Sequence, residues 1–297
     1  MTYGSATTAE HVPAYLKRIY KGKASQELIL DFENRYRLIG RSPLIDITKQ
    51  QAMLLEEKLG DAYVVCAGMR HSDPSIEHAV IDCKNAGATK IIGVILSPQF
   101  SSFIMEGYCT VLTEASARHG FLKEDIFIAE EWSTERHFIE LLAKRTKESL
   151  QILGNKYEEN IPAIFTTHSL PKRVVDKDPT YLKQIEKTIM ATVAEINDES
   201  LGWYAGYQSA GHTPEEWLKP DLTDILADLA RKQNKAVLIV PVQFLTDHLE
   251  ILYDLDIAAK EQCEAHDIEY NRIQLPNTDP LFISALESVL NNMTLFR

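Results

Sequence analysis

Short apolar runs alternate with longer amphipathic segments along most of the chain, and no other feature constrains the fold as strongly. The apolar runs that predict strands are Ala62–Ala67, Lys90–Leu96, Ile126–Glu130, Ala163–Thr167, Trp203–Gln208, Ala236–Val242 and Tyr270–Leu275. Amphipathic stretches that predict helices lie near residues 74–86, 102–118, 135–153, 179–197, 221–233, 248–264 and 279–292. This alternation predicts an α/β protein with parallel sheets covered by helices on both faces.

The polar segment LGNKYEENIP, near residues 153–162, interrupts this pattern and is typical of a linker. We therefore expect two similar halves, residues 1–153 and 154–297, each a doubly wound parallel sheet. Ligands of such sheets bind beyond the carboxyl ends of the strands. The sequence thus predicts an active-site cleft between the two halves.

The bulk composition excludes several classes of function. A formal net charge of −12 argues against nucleic acid as a partner. The 4 cysteines are scattered without CxxC spacing, which predicts reduced thiols in a cytoplasmic protein and neither a zinc site nor an iron–sulfur cluster. No apolar run reaches the ~20 residues that span a bilayer, so no transmembrane segment is predicted. The motifs of dinucleotide-binding folds, P-loops, serine hydrolases and zincins are absent from the sequence.

The segment FTTHSLPKR places His168 directly after a buried strand and three residues before Pro171. A histidine at the carboxyl end of a parallel strand lies where ligands of such sheets bind. A neutral imidazole is suited to accepting a proton near pH 7. The alternative is a turn histidine whose ring bonds to the backbone.

A second unusual segment, FLTDHLEILYDLD, follows the most apolar of the predicted strands. Asp247 and Glu250 fit a capping box at a helix N-terminus. Glu250 and Asp254 are spaced four residues apart, so on a helix both carboxylates face the same way, at a cost of a few tenths of a kcal/mol. With His248 and Asp256 nearby, this acidic stripe is suited to guiding a loosely bound divalent cation such as Fe²⁺.

The segments THSLP, GYQSAGHTPEEWLKPDL, VPVQFLTDHLEILYDLD and SPQFSSF together resemble the signature segments of the ferrochelatase family. MTYGS at the start and GMRHSDPSIEHAV in the middle extend the resemblance over nearly the whole chain. The segment QSAGHTPEEWL resembles the soluble bacterial kind that metallates coproporphyrin III. The resemblance implies a chelatase-like fold, Fe²⁺ and coproporphyrin III as substrates, and no required cofactor. It also implies a role in haem biosynthesis for a cytoplasmic protein that is expected to be a monomer.

For the catalytic and metal-binding residues, the resemblance implies three positions. His168 would face the pyrrole nitrogens as proton acceptor, and Glu250 would lie across from it. Glu250 would bind the incoming metal and balance the charge of the protonated histidine. Asp254, together with Arg35, matches an outer cation-binding pair, so the implied metal ligands are His168, Glu250 and Asp254.

The resemblance also implies porphyrin-binding residues in the first half of the chain. Tyr3 matches a tyrosine that lines the opposite porphyrin face and can ligate iron. Ser42 and Tyr108 match positions near the propionates. Lys21 and Lys23 stand where relatives often carry arginines, and they supply charge without the bidentate fork of arginine.

Two further departures from the family pattern bear on this reading. Ala258 replaces a glutamate that continues the acidic stripe in many relatives, which predicts a shorter outer metal path. The family also places a buried central strand at the position of Met1–Tyr3, so either that strand is short here or the sequence starts within it.

The sequence leaves three other functions open as alternatives. The first is a ferrochelatase that uses protoporphyrin IX. The second is a chelatase for sirohydrochlorin, although such enzymes favour paired histidines, whereas here a histidine pairs with a glutamate. The third is a non-catalytic porphyrin or haem carrier, which would need neither a proton acceptor nor an acidic metal path.

Overall fold

A computed structural model of the chain describes residues 1–211 and 213–293. Its contacts divide the chain into two compact units. Unit 1 comprises Met1–Trp132, Thr246–Leu249 and the segment from Asn277, and unit 2 comprises Ser133–Leu245 and Glu250–Pro276. This division differs from the predicted boundary at residue 153, because the helix Arg136–Tyr157 runs through that position and the C-terminal segment packs with unit 1.

Unit 1 is built mainly from helices. They are α1 (Val12–Ile19), α2 (Gln26–Ile39), α3 (Leu44–Leu59), α4 (Ile76–Asn85), α5 (Ser102–Arg118) and α11 (Pro280–Asn291). Two parallel strands, β1 (Ile91–Val94) and β2 (Ile126–Ala129), pair in the register Ile91 to Ile126. The helices α1 to α3 fall in a region where the sequence pattern predicted no element.

The predicted strand Ala62–Ala67 is not a strand in the structure. This segment and β1 both line a cavity of about 390 Å³ in unit 1, together with apolar side chains such as Val80 and Leu112. Met1 lies at the same cavity, and its terminal nitrogen donates to the Val94 carbonyl at 2.6 Å. The segment therefore has the composition of a strand without the neighbouring ladder that would make it one.

Unit 2 holds a parallel sheet of 4 strands in the order β4-β3-β5-β6. The strands are β3 (Ala163–His168), β4 (Trp203–Gln208), β5 (Ala236–Pro241) and β6 (Glu269–Arg272). The helices are α6 (Arg136–Tyr157), α7 (Lys172–Lys177), α8 (Thr180–Ile196), α9 (Leu222–Arg231), the π-helix Glu250–Ala259 and α10 (Lys260–Ala265).

The central strands of this sheet are buried, as their near-continuous apolar sequences predict for strands covered on both faces. Every residue of β5 is buried, and β3 is buried up to Thr167. The predicted strand Tyr270–Leu275 begins one residue earlier and ends at Arg272. Pro171 caps α7, so the chain enters a short helix soon after His168 rather than continuing as a loop.

Candidate active site

His168 is the last residue of β3, and its backbone is held from two sides. Its N–H donates to Gln243 Oε1 at 2.9 Å, and its carbonyl accepts from the Tyr181 hydroxyl at 2.8 Å. The same hydroxyl lies 2.9 Å from Gln243 Oε1. Tyr181 is fully buried, and burial raises its pKa, so the phenol remains a proton donor at neutral pH. The strand end is thus fixed before any substrate arrives.

The ring of His168 has a defined orientation. Its Nδ1 contacts the carbonyl oxygen of Ser169, and because a carbonyl can only accept, Nδ1 carries the proton in the neutral ring. The lone pair is then on Nε2, which lies 3.7 Å from Glu250 Oε2. Phe244 meets the imidazole edge-on, with ring centroids 6.3 Å apart. The ring bonds to the backbone, as the turn-histidine alternative required, but the same bond presents Nε2 to Glu250.

The lone pair of His168 Nε2 faces the carboxylate of Glu250, and this arrangement favours binding of a proton or a cation between them. Both groups are proton acceptors, so they attract each other only when a proton sits on one of them. The side chains of His168 and Glu250 are 29% and 38% exposed, so both are accessible to a ligand. If Nε2 took up a proton, the negative charge of Glu250 would stabilise the protonated ring.

Glu250 opens the π-helix and is not the third residue of a capped α-helix. The expected partner, Asp247, is bound elsewhere: Asn277 Nδ2 donates to its carboxylate at 2.7 Å, and its N–H donates to Asn277 Oδ1 at 3.0 Å. The capping box between Asp247 and Glu250 stays a prediction. π-helical turns are rare and occur often at functional sites, which fits a helix that carries a site residue at its first position.

Asp254 lies on the same π-helix, where its carboxylate accepts a hydrogen bond from the Ser209 hydroxyl. Asp256 does not belong to a free acidic stripe, since Arg272 donates to both of its carboxylate oxygens, at 2.8 and 2.7 Å. The ring of His248 contacts the Thr246 carbonyl at 2.9 Å. Of the acidic stripe that the sequence predicted, Glu250 and Asp254 remain as candidates.

No group of three His, Cys, Asp or Glu residues that could hold a metal ion occurs in the described part of the chain. The predicted metal ligands His168 and Glu250 are neighbours, whereas Asp254 is not gathered with them into such a cluster. A carboxylate paired with an imidazole suits a metal ion that is handled in passing as a substrate, because a closed structural site would need about four ligands.

The predicted porphyrin-binding residues of unit 1 differ widely in accessibility. Tyr3 is 43% exposed, and its ring lies 4.5 Å from that of His71. Lys21 and Lys23 are exposed in the loop that joins α1 to α2. Ser42 is buried and accepts a hydrogen bond from Ser5 at 2.8 Å, and Tyr108 is buried under the Arg70 guanidinium. Ser42 and Tyr108 therefore pack in the core of unit 1, while Tyr3 and the two lysines are open to solvent.

Of two residues that organise the site, the sequence placed Gln243 at a strand end without a role and gave no indication of Tyr181. Gln243 follows β5 closely, and this strand-end position was the signal that could have identified it. Tyr181 lies on α8 and is 13 residues from His168, and nothing in the local sequence marks it.

Comparison with protein families decides the class of this chain. A family model described as Ferrochelatase matches residues 1–294. The chain belongs to the ferrochelatase family. It is therefore an enzyme that inserts a metal into a porphyrin, as the sequence segments predicted.

Curated relatives of this ferrochelatase cover almost its whole length. The Coproporphyrin III ferrochelatase of Anoxybacillus flavithermus is 35% identical over 302 residues, which cover 98% of this chain and 94% of the relative. The Coproporphyrin III ferrochelatase of Bacillus subtilis is 34% identical over 300 residues, with 98% and 95% covered. The Ferrochelatase of Deinococcus radiodurans is 36% identical over 303 residues, with 98% and 93% covered.

Solved structures of chelatases share the two-halved α/β fold. SirB from Bacillus subtilis with Fe³⁺ superposes with a TM-score of 0.56 at 13% identity, covering 83% of this chain and 89% of SirB. CbiX, described as the terminal enzyme for biosynthesis of sirohaem in denitrifying bacteria, gives a TM-score of 0.54 at 11% identity, with 84% and 92% covered. At this identity the likeness establishes the fold alone.

Across the described residues, no helix is both long enough and apolar enough to cross a membrane.

Proposed function

We propose that this enzyme inserts Fe²⁺ into coproporphyrin III, with His168 as the proton acceptor and Glu250 as the carboxylate on the metal side. The observation that carries the proposal is the 3.7 Å approach of His168 Nε2 to Glu250 Oε2. The substrate is suggested by the relatives from Anoxybacillus flavithermus and Bacillus subtilis, both of which are coproporphyrin III ferrochelatases.

The reaction releases two protons from the pyrrole nitrogens as Fe²⁺ takes their place. His168 Nε2 carries the lone pair because Nδ1 is committed to the Ser169 carbonyl. It accepts the two pyrrole protons one at a time, and the carboxylate of Glu250 stabilises the imidazolium formed each time. Glu250 also offers an oxygen ligand to the incoming cation, and Asp254 lies on the same π-helix as a second carboxylate. The proton then leaves to solvent, since both side chains are partly exposed.

The experiment is anaerobic titration of the protein with coproporphyrin III and Fe²⁺, followed by absorbance, for the wild type and His168→Ala. We expect the variant to bind porphyrin within roughly tenfold of the wild type and to lose 10²–10⁴-fold in turnover, the usual contribution of general base catalysis. Retention of more than about a tenth of the wild-type rate would remove His168 from the proton-acceptor role.

The same titration separates the alternative functions. A porphyrin or haem carrier would bind coproporphyrin III without forming the iron complex. A sirohydrochlorin chelatase would metallate sirohydrochlorin and leave coproporphyrin III unchanged. The pairing of a histidine with a glutamate favours the ferrochelatase over both.

A further inference from the structure

The π-helix that carries Glu250 is bound to both edges of the sheet of unit 2. The sheet order places β4 at one edge and β6 at the other, with β3 and its His168 between them. Ser209, directly after β4, donates to Asp254 of the π-helix. Arg272, the last residue of β6, donates to Asp256 of the same helix.

The contact at β6 has the geometry of a rigid clamp. Arg272 Nε and a terminal nitrogen reach the two carboxylate oxygens of Asp256 at 2.8 and 2.7 Å. The Tyr270 hydroxyl donates to the same carboxylate at 3.1 Å, and another Arg272 nitrogen donates to the Ile273 carbonyl at 3.0 Å. The Arg272 side chain is only 13% exposed, so this fork is held in a fixed direction.

A π-helix needs such restraint more than an α-helix does. Its wider turns are rare, and an isolated segment relaxes towards the α-helical hydrogen-bond pattern. Relaxation would rotate the side chains along the segment relative to the sheet. Since Glu250 is the first residue of the helix, its carboxylate would move relative to His168, which is fixed independently through Gln243.

We propose that Arg272, Asp256 and Tyr270 form a positioning clamp that keeps the π-helix in register, so that Glu250 stays opposite His168. This inference rests on the proposed roles of His168 and Glu250. The clamp residues act through the helix, and none of them is assigned a contact with porphyrin or iron.

The test compares Asp256→Asn with a matched control, Glu269→Gln. Each change removes one carboxylate whose hydrogen bonds involve β6. Glu269 is the first residue of β6, and its carboxylate pairs with Lys156 and Tyr157 of α6. Only the Asp256 change loosens the π-helix. For each protein we would measure the kcat of iron insertion, the KM for Fe²⁺, the Kd for porphyrin and the Tm.

For Asp256→Asn we expect kcat to fall about ten- to a hundredfold, the range seen when supporting residues of a reactive site are lost. The porphyrin Kd should stay within about twofold, because none of the three clamp residues is assigned a contact with the porphyrin. Arg272→Lys should lose part of the rate, since lysine keeps the charge but not the fork. Glu269→Gln should keep the wild-type kcat even if its Tm falls by as much as that of Asp256→Asn.

A kcat for Asp256→Asn equal to that of Glu269→Gln would overturn the clamp and leave only an ordinary ion pair. A wild-type protein that fails to metallate coproporphyrin III would instead overturn the proposed function. If Asp256→Asn does not fold, Arg272→Lys carries the same comparison, since loss of kcat without loss of porphyrin binding is required of it as well.

Discussion

At the scale of single residues, Glu250 has an accessible carboxylate that lies close to the lone pair of His168 Nε2. We predict that Glu250→Gln cripples iron insertion, because glutamine keeps the shape of the side chain and cannot balance an imidazolium. The turnover number and the Tm would be measured together, with Glu261→Gln on the exposed side of α10 as control. A stable Glu250→Gln enzyme with full activity would reduce Glu250 to a structural role.

His71 gives a prediction about pH. Burial, and then the charge of Arg70, lower the pKa of His71 from 6.5 to about 4. The folded state therefore resists protonation of this ring, and the stability it retains at pH 7 is lost as the pH falls from 6.5 towards 4. We expect His71→Asn to lose less stability than the wild type over this range in urea titrations. Equal losses, or the same effect from the exposed control His266→Asn, would contradict the prediction.

Residue-scale reasoning from sequence succeeded where the signal was local. His168 is recognisable because it ends an apolar strand before a proline, and strand ends are where such sheets place their sites. Asn277, thirty positions beyond Asp247, binds that aspartate, and the local sequence gives no sign of this contact. Ser42 and Tyr108 are polar in sequence, and only the packing around them reveals that they are buried.

At the scale of elements, the edge of β1 lies beside the cavity of unit 1. Thr2 N–H donates to the Gly68 carbonyl at 3.1 Å, and Leu96 N–H donates to the Met1 carbonyl at 2.9 Å, so Met1 and Thr2 lie between the segment at Gly68 and the segment that follows β1. The cavity continues beside them along Ala62–Ala67 and β1.

We predict that about eight apolar residues joined ahead of Met1 raise the Tm. They would extend the ladder and cover apolar surface, which together contribute several kcal/mol. A shift of roughly 5 °C or more is expected for a protein of this size. A Gly/Ser/Asp extension of equal length is the control. No shift with the apolar extension, or the same shift with the polar one, would mean that the existing edge is already complete.

The π-helix shows what pattern reading misses at this scale. The periodicity near residues 248–264 predicted one helix, and the structure divides it into a π-helix and α10. Apolar periodicity predicts that a helix forms here, but it does not specify the backbone hydrogen-bond pattern that the helix adopts.

At the scale of the whole molecule, the uneven charge bears on which porphyrin is used. The net charge is −12, yet Lys21 and Lys23 stand exposed on one loop of unit 1. Arg41, a further basic residue of unit 1, is paired with Asp46. The prediction for propionate binding therefore depends on the two lysines.

We predict a modest preference for coproporphyrin III, with four propionates, over protoporphyrin IX, with two. An exposed ion pair contributes about 0.2–1 kcal/mol, so two extra pairs give roughly tenfold in kcat/KM. The preference should shrink as salt rises and should weaken in Lys21→Gln/Lys23→Gln, but not in the exposed control Lys49→Gln. Equal or better use of protoporphyrin IX would remove the coproporphyrin assignment and leave the ferrochelatase one.

The sequence by itself determined the α/β class, most strand positions, the family and the two residues on which the proposal depends. It could do so because buried parallel strands are continuous apolar runs and their ends are marked by polar residues in the next few positions. The tertiary structure decided how the units divide, which polar side chains are buried, and that Glu250 begins a π-helix. These depend on contacts between residues far apart in the chain, such as Tyr181 with His168 and Arg272 with Asp256, and no local pattern of residues encodes them.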